Sequence, residues 1–203
     1  VRKGDLVRVF GSTVSMPLVR AIYREVLLAG GHPVVRITDD GCRDHFYELA
    51  KPHQLSFADP LSLHEIETVN CTIGLWGEEN AKPLSRVVPK KQALVSQARK
   101  RFMDTFLRRA AKKGRDKLRW TGTQFPCQAA AQDAEMSLAQ YEDFVFRAGL
   151  LHLKDPAAEW RRISERQQRV CDALNKGREI RFRTPQGTHL RLGVKGRRWI
   201  NRD

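Results

Sequence analysis

Apolar and polar positions alternate over Leu6-Val7-Arg8-Val9-Phe10, a strand pattern entered from the turn residues Gly4-Asp5. Pro17 is a good first helical residue, and Leu18, Ile22 and Val26, with Val19, Tyr23 and Leu27 beside them, repeat every four positions down to Gly30-Gly31. That spacing predicts an amphipathic helix with a glycine stop. His32 to Ile37 reads as a second strand, Arg43–Ala50 as a short helix, and Val69–Trp76 as a third strand after a polar connection. Pro89 opens what the pattern predicts as the longest helix, with Leu94, Ala98, Phe102, Phe106 and Ala110 on one stripe and Gly114 at its end. Leu118–Thr123 is the next strand. Ser137 with Gln140 three residues on is a capping box opening a helix through Tyr141, Phe144 and Val145. Asp155-Pro156 opens another, with Trp160, Ile163, Val170 and Leu174 on its apolar face up to Gly177.

Strands alternating with helices predict an α/β fold, a mostly parallel sheet with helices on both faces. After Lys176 the pattern becomes antiparallel β. Ile180 and Phe182 alternate with arginines, Thr184-Pro185-Gln186-Gly187 turns the chain, and Leu190, Leu192 and Val194 alternate again. A further strand is expected from Arg198-Trp199-Ile200. A hairpin with one half-started neighbour cannot complete a sheet. The expectation is therefore an N-terminal α/β domain over 1–176, and over 177–203 the β-hairpin that begins a truncated second domain. Trp199 and Ile200 are expected to be exposed without partner strands.

Composition narrows the class. Of the 203 residues, 41% are hydrophobic and 30% charged, too apolar for a disordered chain. No apolar run approaches a membrane span, and no export segment precedes Leu6, so the expected compartment is the cytoplasm. Cys42, Cys71, Cys127 and Cys171 form no C-x-x-C and no zinc spacing, and read as buried free thiols. The net charge of +14 is uneven, because residues 86–119 hold 13 basic and 2 acidic residues and 178–203 hold 8 and 2. Arg99, Lys100, Arg101, Arg108, Arg109, Lys112 and Lys113 fall off the apolar stripe of the predicted 89–114 helix. They read first as its solvated face and second as a phosphate-binding surface. Phe102 and Phe106 lie on the buried stripe, so no stacking platform is interleaved with that charge.

Other constellations are weak. The turn Gly11-Ser12-Thr13-Val14-Ser15 has one glycine where dinucleotide and P-loop motifs need more, and its hydroxyls read as helix caps before anion donors. Asp39-Asp40 and Glu78-Glu79-Asn80 follow the second and third strands, at the sheet end where α/β sites lie. Either pair could take a hard cation, and Gly11, Asp39 and Glu78 mark a small-molecule site if there is one. His64 and Glu67, at helical spacing, are surface partners rather than ligands, and His32, His45, His53, His152 and His189 are scattered. No Ser or Cys has a base that the sequence can specify.

Five blocks in register carry a family likeness. They are Met16–Val35 (Pro-Leu-Val-Arg-Ala-Ile-Tyr-Arg-Glu-Val-Leu-Leu-Ala-Gly-Gly-His-Pro-Val-Val after the Met), Trp120-Thr121-Gly122-Thr123-Gln124-Phe125-Pro126, Met136 to Phe144, Ser164-Glu165-Arg166-Gln167, and Gly196-Arg197-Arg198-Trp199-Ile200-Asn201. Together the chain resembles the N-terminal part of the aminopeptidase T family of dinuclear metallo-aminopeptidases, also described as thermophilic aminopeptidases. The resemblance implies hydrolysis of N-terminal amino acids from peptides by two divalent metal ions, of zinc or cobalt type, that activate water and polarise the scissile carbonyl. It also implies homodimers built through a C-terminal domain. The family's metal-ligating Glu, His and Asp residues and its catalytic Glu and Tyr fall beyond Asp203. On that pattern no catalytic, substrate-binding or metal residue is assigned within this chain, and the piece alone is expected to be inactive. The alternative is a non-catalytic basic α/β module that binds nucleic acid through the 86–119 surface.

Overall fold

A computed structural model describes residues 1–201 of the chain. They fall into two compact units, one over Val1–Val145 and one from Phe146 onward.

The first unit is built on four parallel strands. β1 (Leu6–Ser12) alternates as its sequence does, with Val7 and Val9 fully buried. Helix α1 (Met16–Leu28) starts one residue before the expected proline, which falls in its first turn, and its end is a Schellman motif. Gly30 N–H bonds the Leu27 carbonyl and Gly31 N–H the Val26 carbonyl, each at 2.9 Å, with Gly30 at φ +76°. β2 (His32–Thr38) follows, then α2 (Asp40–Leu49), whose first turn is capped by the Asp39 side chain accepting from Cys42 N.

The polar connection before the third strand folds into two helices, α3 (Pro52–Leu55) and α4 (Pro60–Thr68). Each opens on a proline, and Asp59 caps α4 by accepting from Leu61 N and Ser62 N. β3 (Cys71–Trp76) comes next. The single long helix expected from Pro89 is two, α5 (Pro89–Ala98) and α6 (Lys100–Ala110), joined at Arg99. The break lets the halves serve different neighbours, since α5 packs on α3 and α6 on α4. β4 (Arg119–Gln124) is followed by α7 (Gln128–Asp133), a helix that the sequence pattern did not announce. The expected box opens α8 (Leu138–Ala148): Ser137 N donates to Gln140 Oε1 at 2.9 Å and Gln140 N to Ser137 Oγ at 3.3 Å.

The strand order is β2-β1-β3-β4, with Val9 opposite both Val35 and Ile73, and Ile73 opposite Thr121. One sheet face, with Val7, Val9, Cys71 and Leu75, packs on Val19 and Val26 of α1. A second cluster joins Ile66, Val69 and Leu118 to Leu63, Phe102 and Phe106 from α4 and α6. The chain is thus α/β, mostly parallel, with helices on both faces and a small antiparallel sheet after it.

That antiparallel sheet lies in the second unit, behind α9 (Pro156–Asn175), which Asp155 caps through Ala158 N at 2.9 Å. At 20 residues α9 is the longest helix described, the place that the pattern had given to residues 89–114. β5 (Glu179–Arg183) and β6 (His189–Gly193) pair antiparallel, with Ile180 opposite Leu192 and Phe182 opposite Leu190. The turn closes through Gly187 N–H to the Thr184 carbonyl at 3.0 Å.

No strand forms at Arg198–Ile200. The Asn175 side chain holds Trp199 there by both backbone groups, accepting from its N–H at 2.7 Å and donating to its carbonyl at 3.2 Å. Asn201 donates in turn to the Ser164 carbonyl at 3.0 Å. The segment is therefore bound back onto α9. Trp199 is partly buried, against the expected exposure, and Ile200 is exposed.

Candidate functional site

The carboxyl ends of β1 and β3 flank the point where chain connections leave the sheet in opposite directions, which is where α/β sheets open a crevice. Here the crevice is closed by the protein's own groups. Ser12 Oγ donates across it to the Gly77 carbonyl. Ser15 Oγ accepts from Ser12 N at 3.0 Å and donates to Ser12 O at 2.8 Å. The Ser15 hydroxyl caps the turn, whereas Ser12 ties it to the loop after β3, and neither caps α1 itself as the sequence reading placed first. Thr13 Oγ1 is buried without a partner.

The two acidic pairs that the sequence put on separate loops meet at this end, and an arginine joins them. Asp40 is paired with Arg43 at 3.1 Å and accepts from Glu79 N at 3.2 Å, and Glu78 lies 3.7 Å from the other Arg43 nitrogen. A fixed guanidinium thus stands between the carboxylates where a hard cation would have to sit. Asp39 is spent on capping α2, and the backbone N–H of Cys42 holds its carboxyl below the usual aspartate range. Asn80 turns onto Lys82 N. Sequence reasoning missed Arg43, because nothing in the local pattern says that its helix faces the loop after β3.

His64 and Glu67 stay on the surface of α4. Glu67 lines a shallow cleft of about 480 Å³ with Gln97, Lys100, Arg101, Asp104 and Arg108. Among the described residues no group of three or more His, Cys, Asp or Glu could hold a metal ion. Of the cysteines, Cys71, Cys127 and Cys171 are buried and Cys42 is exposed, the last against the sequence reading.

The basic segment divides into structural and free charge. Lys100 pairs with Asp104 at 2.7 Å. Arg109 is a tie within the fold, not part of a solvated face: its Nη1 donates to the Ile66 and Val69 carbonyls at 2.8 and 2.7 Å, where α4 gives way to β3. Arg99, Arg101, Lys112 and Lys113 are exposed, as expected.

A second missed cluster lies at the opposite end of the sheet. Asp5, 8% exposed, accepts from Arg119 Nη2 at 2.6 Å, from Arg2 N, and from the Cys71 thiol at 3.7 Å. Burial works to raise the Asp5 carboxyl, but these donors outweigh it and hold it below its ordinary 3.8. Burial, aided by the Asp5 carboxylate, pushes the Cys71 thiol up, which keeps it protonated and unreactive. No local signal could connect residues 114 positions apart.

None of these constellations pairs a nucleophile with a base. Comparison with known proteins supplies what the geometry lacks. A family model described as thermophilic metalloprotease (M29) matches residues 1–203, the whole chain. The chain belongs to that family. The likeness drawn from its five sequence blocks therefore extends over its full length. Wild-type AmpT from Thermus thermophilus shares the fold of this M29 chain, with a TM-score of 0.75 at 17% identity. The match covers 96% of the M29 chain and 49% of AmpT, so the chain spans about half the length of that solved structure. A comparison with curated proteins gives no match. A metalloprotease requires a divalent metal, and the residues described in this M29 chain do not fit one, since Asp40 and Glu78 are already bound to Arg43. Among them no helix is long and apolar enough to cross a membrane.

Proposed function

We propose that the chain is the N-terminal part of a metal-dependent aminopeptidase that removes N-terminal amino acids from peptides. The family match over residues 1–203 carries this reading. The chemistry is that of two divalent cations, of zinc or cobalt type, held by residues beyond Asp203. On this reading residues 1–176 form the α/β domain that walls the substrate cleft and supports a homodimer, and 177–203 are the hairpin on which the catalytic domain is built. The exposed apolar face of that hairpin, with Phe182, Leu190 and Leu192 each more than two-fifths exposed, supports the domain assignment, because such a face needs a cover. The expected compartment is the cytoplasm.

The test is aminopeptidase assay of the 203-residue chain and of a form continued to the length of AmpT, with aminoacyl-p-nitroanilides and short peptides. The long form is expected to release N-terminal residues, to lose activity to a chelator and to regain it with Zn²⁺ or Co²⁺. The 203-residue chain is expected to show no turnover and no stoichiometric Zn²⁺ binding by calorimetry. Chelator-resistant activity of the long form, or turnover by the 203-residue chain, would refute the assignment.

A further inference from the structure

Two tryptophans share one face of the sheet at its outer edge. In the β3–β4 register Thr72 stands opposite Trp120, Gly74 opposite Gly122 and Trp76 opposite Gln124, so Trp76, Trp120 and both glycines point to the same side. β4 is the last strand of this sheet among the described residues. A Cβ on Gly122 would overlap the six-membered ring of Trp76, and one on Gly74 would overlap the Phe10 ring. The paired glycines are therefore a floor on which aromatic rings rest directly against backbone. The other side of that layer is open, with Trp76 53% and Trp120 44% exposed. Trp120 meets Phe106 of α6 in a T-shaped contact, the ring centroids 5.6 Å apart, which fixes one side of its ring.

The basic segment ends beside this layer. Leu118 N bonds the Arg109 carbonyl at 3.1 Å, which closes the link from α6 to β4 into a short loop. That loop carries Lys112, Lys113, Arg115 and Lys117, three to eight residues before Trp120. All four are exposed, and none has a carboxylate partner among the described residues. The sequence pattern found only buried aromatics within the basic segment. The sheet adds two exposed ones, Trp120 just after that segment and Trp76 from the neighbouring strand.

We infer that this edge binds single-stranded nucleic acid, bases stacking on Trp76 and Trp120 and phosphates lying on the four cations of the 112–117 loop. An aromatic face free on one side accepts any base, and unpaired cations at its border match a phosphate backbone. A duplex hides its base faces, and an acidic peptide has none to stack. The inference is independent of the peptidase reading and needs no metal.

Fluorescence anisotropy of a labelled 12-nucleotide oligouridylate with the full 203-residue chain tests it, alongside tryptophan emission. Binding is expected to quench that emission and to weaken with salt, log K falling with log[salt] at a slope of roughly −3 for four phosphates. Trp76→Ala and Trp120→Ala are each expected to weaken binding roughly 5- to 150-fold, as loss of one stacked base does. Trp120→Phe keeps a ring and restores most of the affinity, which separates stacking from misfolding. Alanine at positions 112, 113, 115 and 117 together flattens the salt slope. The inference falls if no binding occurs at 50 mM salt, or if both Trp→Ala variants bind as tightly as the parent. It falls equally if a 12-base-pair duplex or polyglutamate binds as tightly as the oligouridylate.

Discussion

Ile66 is the fully buried residue of α4, a helix that the hydrophobic pattern did not announce, so its replacement measures how firmly α4 is docked. The side chain is fully buried, between Val69, Leu118 and the rings of Phe102 and Phe106. Ile66→Ala removes three carbons, a transfer loss of about 2.4 kcal/mol at about 0.8 per buried carbon. Those walls belong to α4, α6 and the sheet, and Arg109 ties α6 to the end of α4, so the site closes poorly around a void. An unrelaxed void of roughly 75 Å³ adds about 1.8 kcal/mol. The expected loss is therefore about 2.4 kcal/mol with full collapse and about 4 with none, while Ile66→Val, one carbon smaller, loses about 1. Urea titration followed by far-UV circular dichroism and tryptophan fluorescence gives the difference, provided that the m-value is unchanged. A loss below about 1 kcal/mol for the alanine variant at unchanged m would show that α4 is not docked as described.

Three further outcomes follow from particular contacts. Arg109→Met is expected to lose about 1.5–3 kcal/mol in the same titration, since its charged donors hold two backbone carbonyls, and Arg109→Lys should recover only part, lacking the fork. Asp5 has its folded pKa depressed, so its contribution is fully present above its ordinary 3.8 and is lost as pH falls through the lower folded value. The thermal midpoint advantage of the parent over Asp5→Asn should thus hold at pH 5–7 and vanish toward pH 2; an advantage that grew on acidification would contradict the pairing. Titration with a thiol reagent under native conditions should modify Cys42 at once and Cys71, Cys127 and Cys171 only on unfolding, and prompt modification of more than one thiol would contradict the burial.

Most of the first unit was legible because its signals are local. Val7 and Val9 against Arg8, the proline at the head of α1, the glycines behind it and the Ser137–Gln140 box each act within a few residues, and each formed as read. What stayed hidden depends on distant neighbours. α4 has a proline and an aspartate cap, yet its apolar residues follow no clean helical stripe, so only packing against α6 reveals its buried side. The stripe through Leu94, Ala98, Phe102 and Phe106 is continuous in sequence but serves two partners, and so it breaks at Arg99. Asp40 and Glu78 were legible as carboxylates at strand ends, while the arginine that neutralises them was not, because its position depends on how α2 lies. The tryptophan layer was invisible for the same reason, since it exists only through the β3–β4 register.

The strand order also sets a timetable for synthesis. β1 is central and made first, β2 and β3 can join it as they emerge, and Asp5 then sits at the sheet's end before its counterion has been translated. Until then Asp5 has only the Arg2 N–H and the Cys71 thiol as donors, and a carboxylate short of its counterion opposes burial. The counterion is the first residue of β4, so neutralising Asp5 and adding the last described strand of the sheet fall to the same stretch of chain.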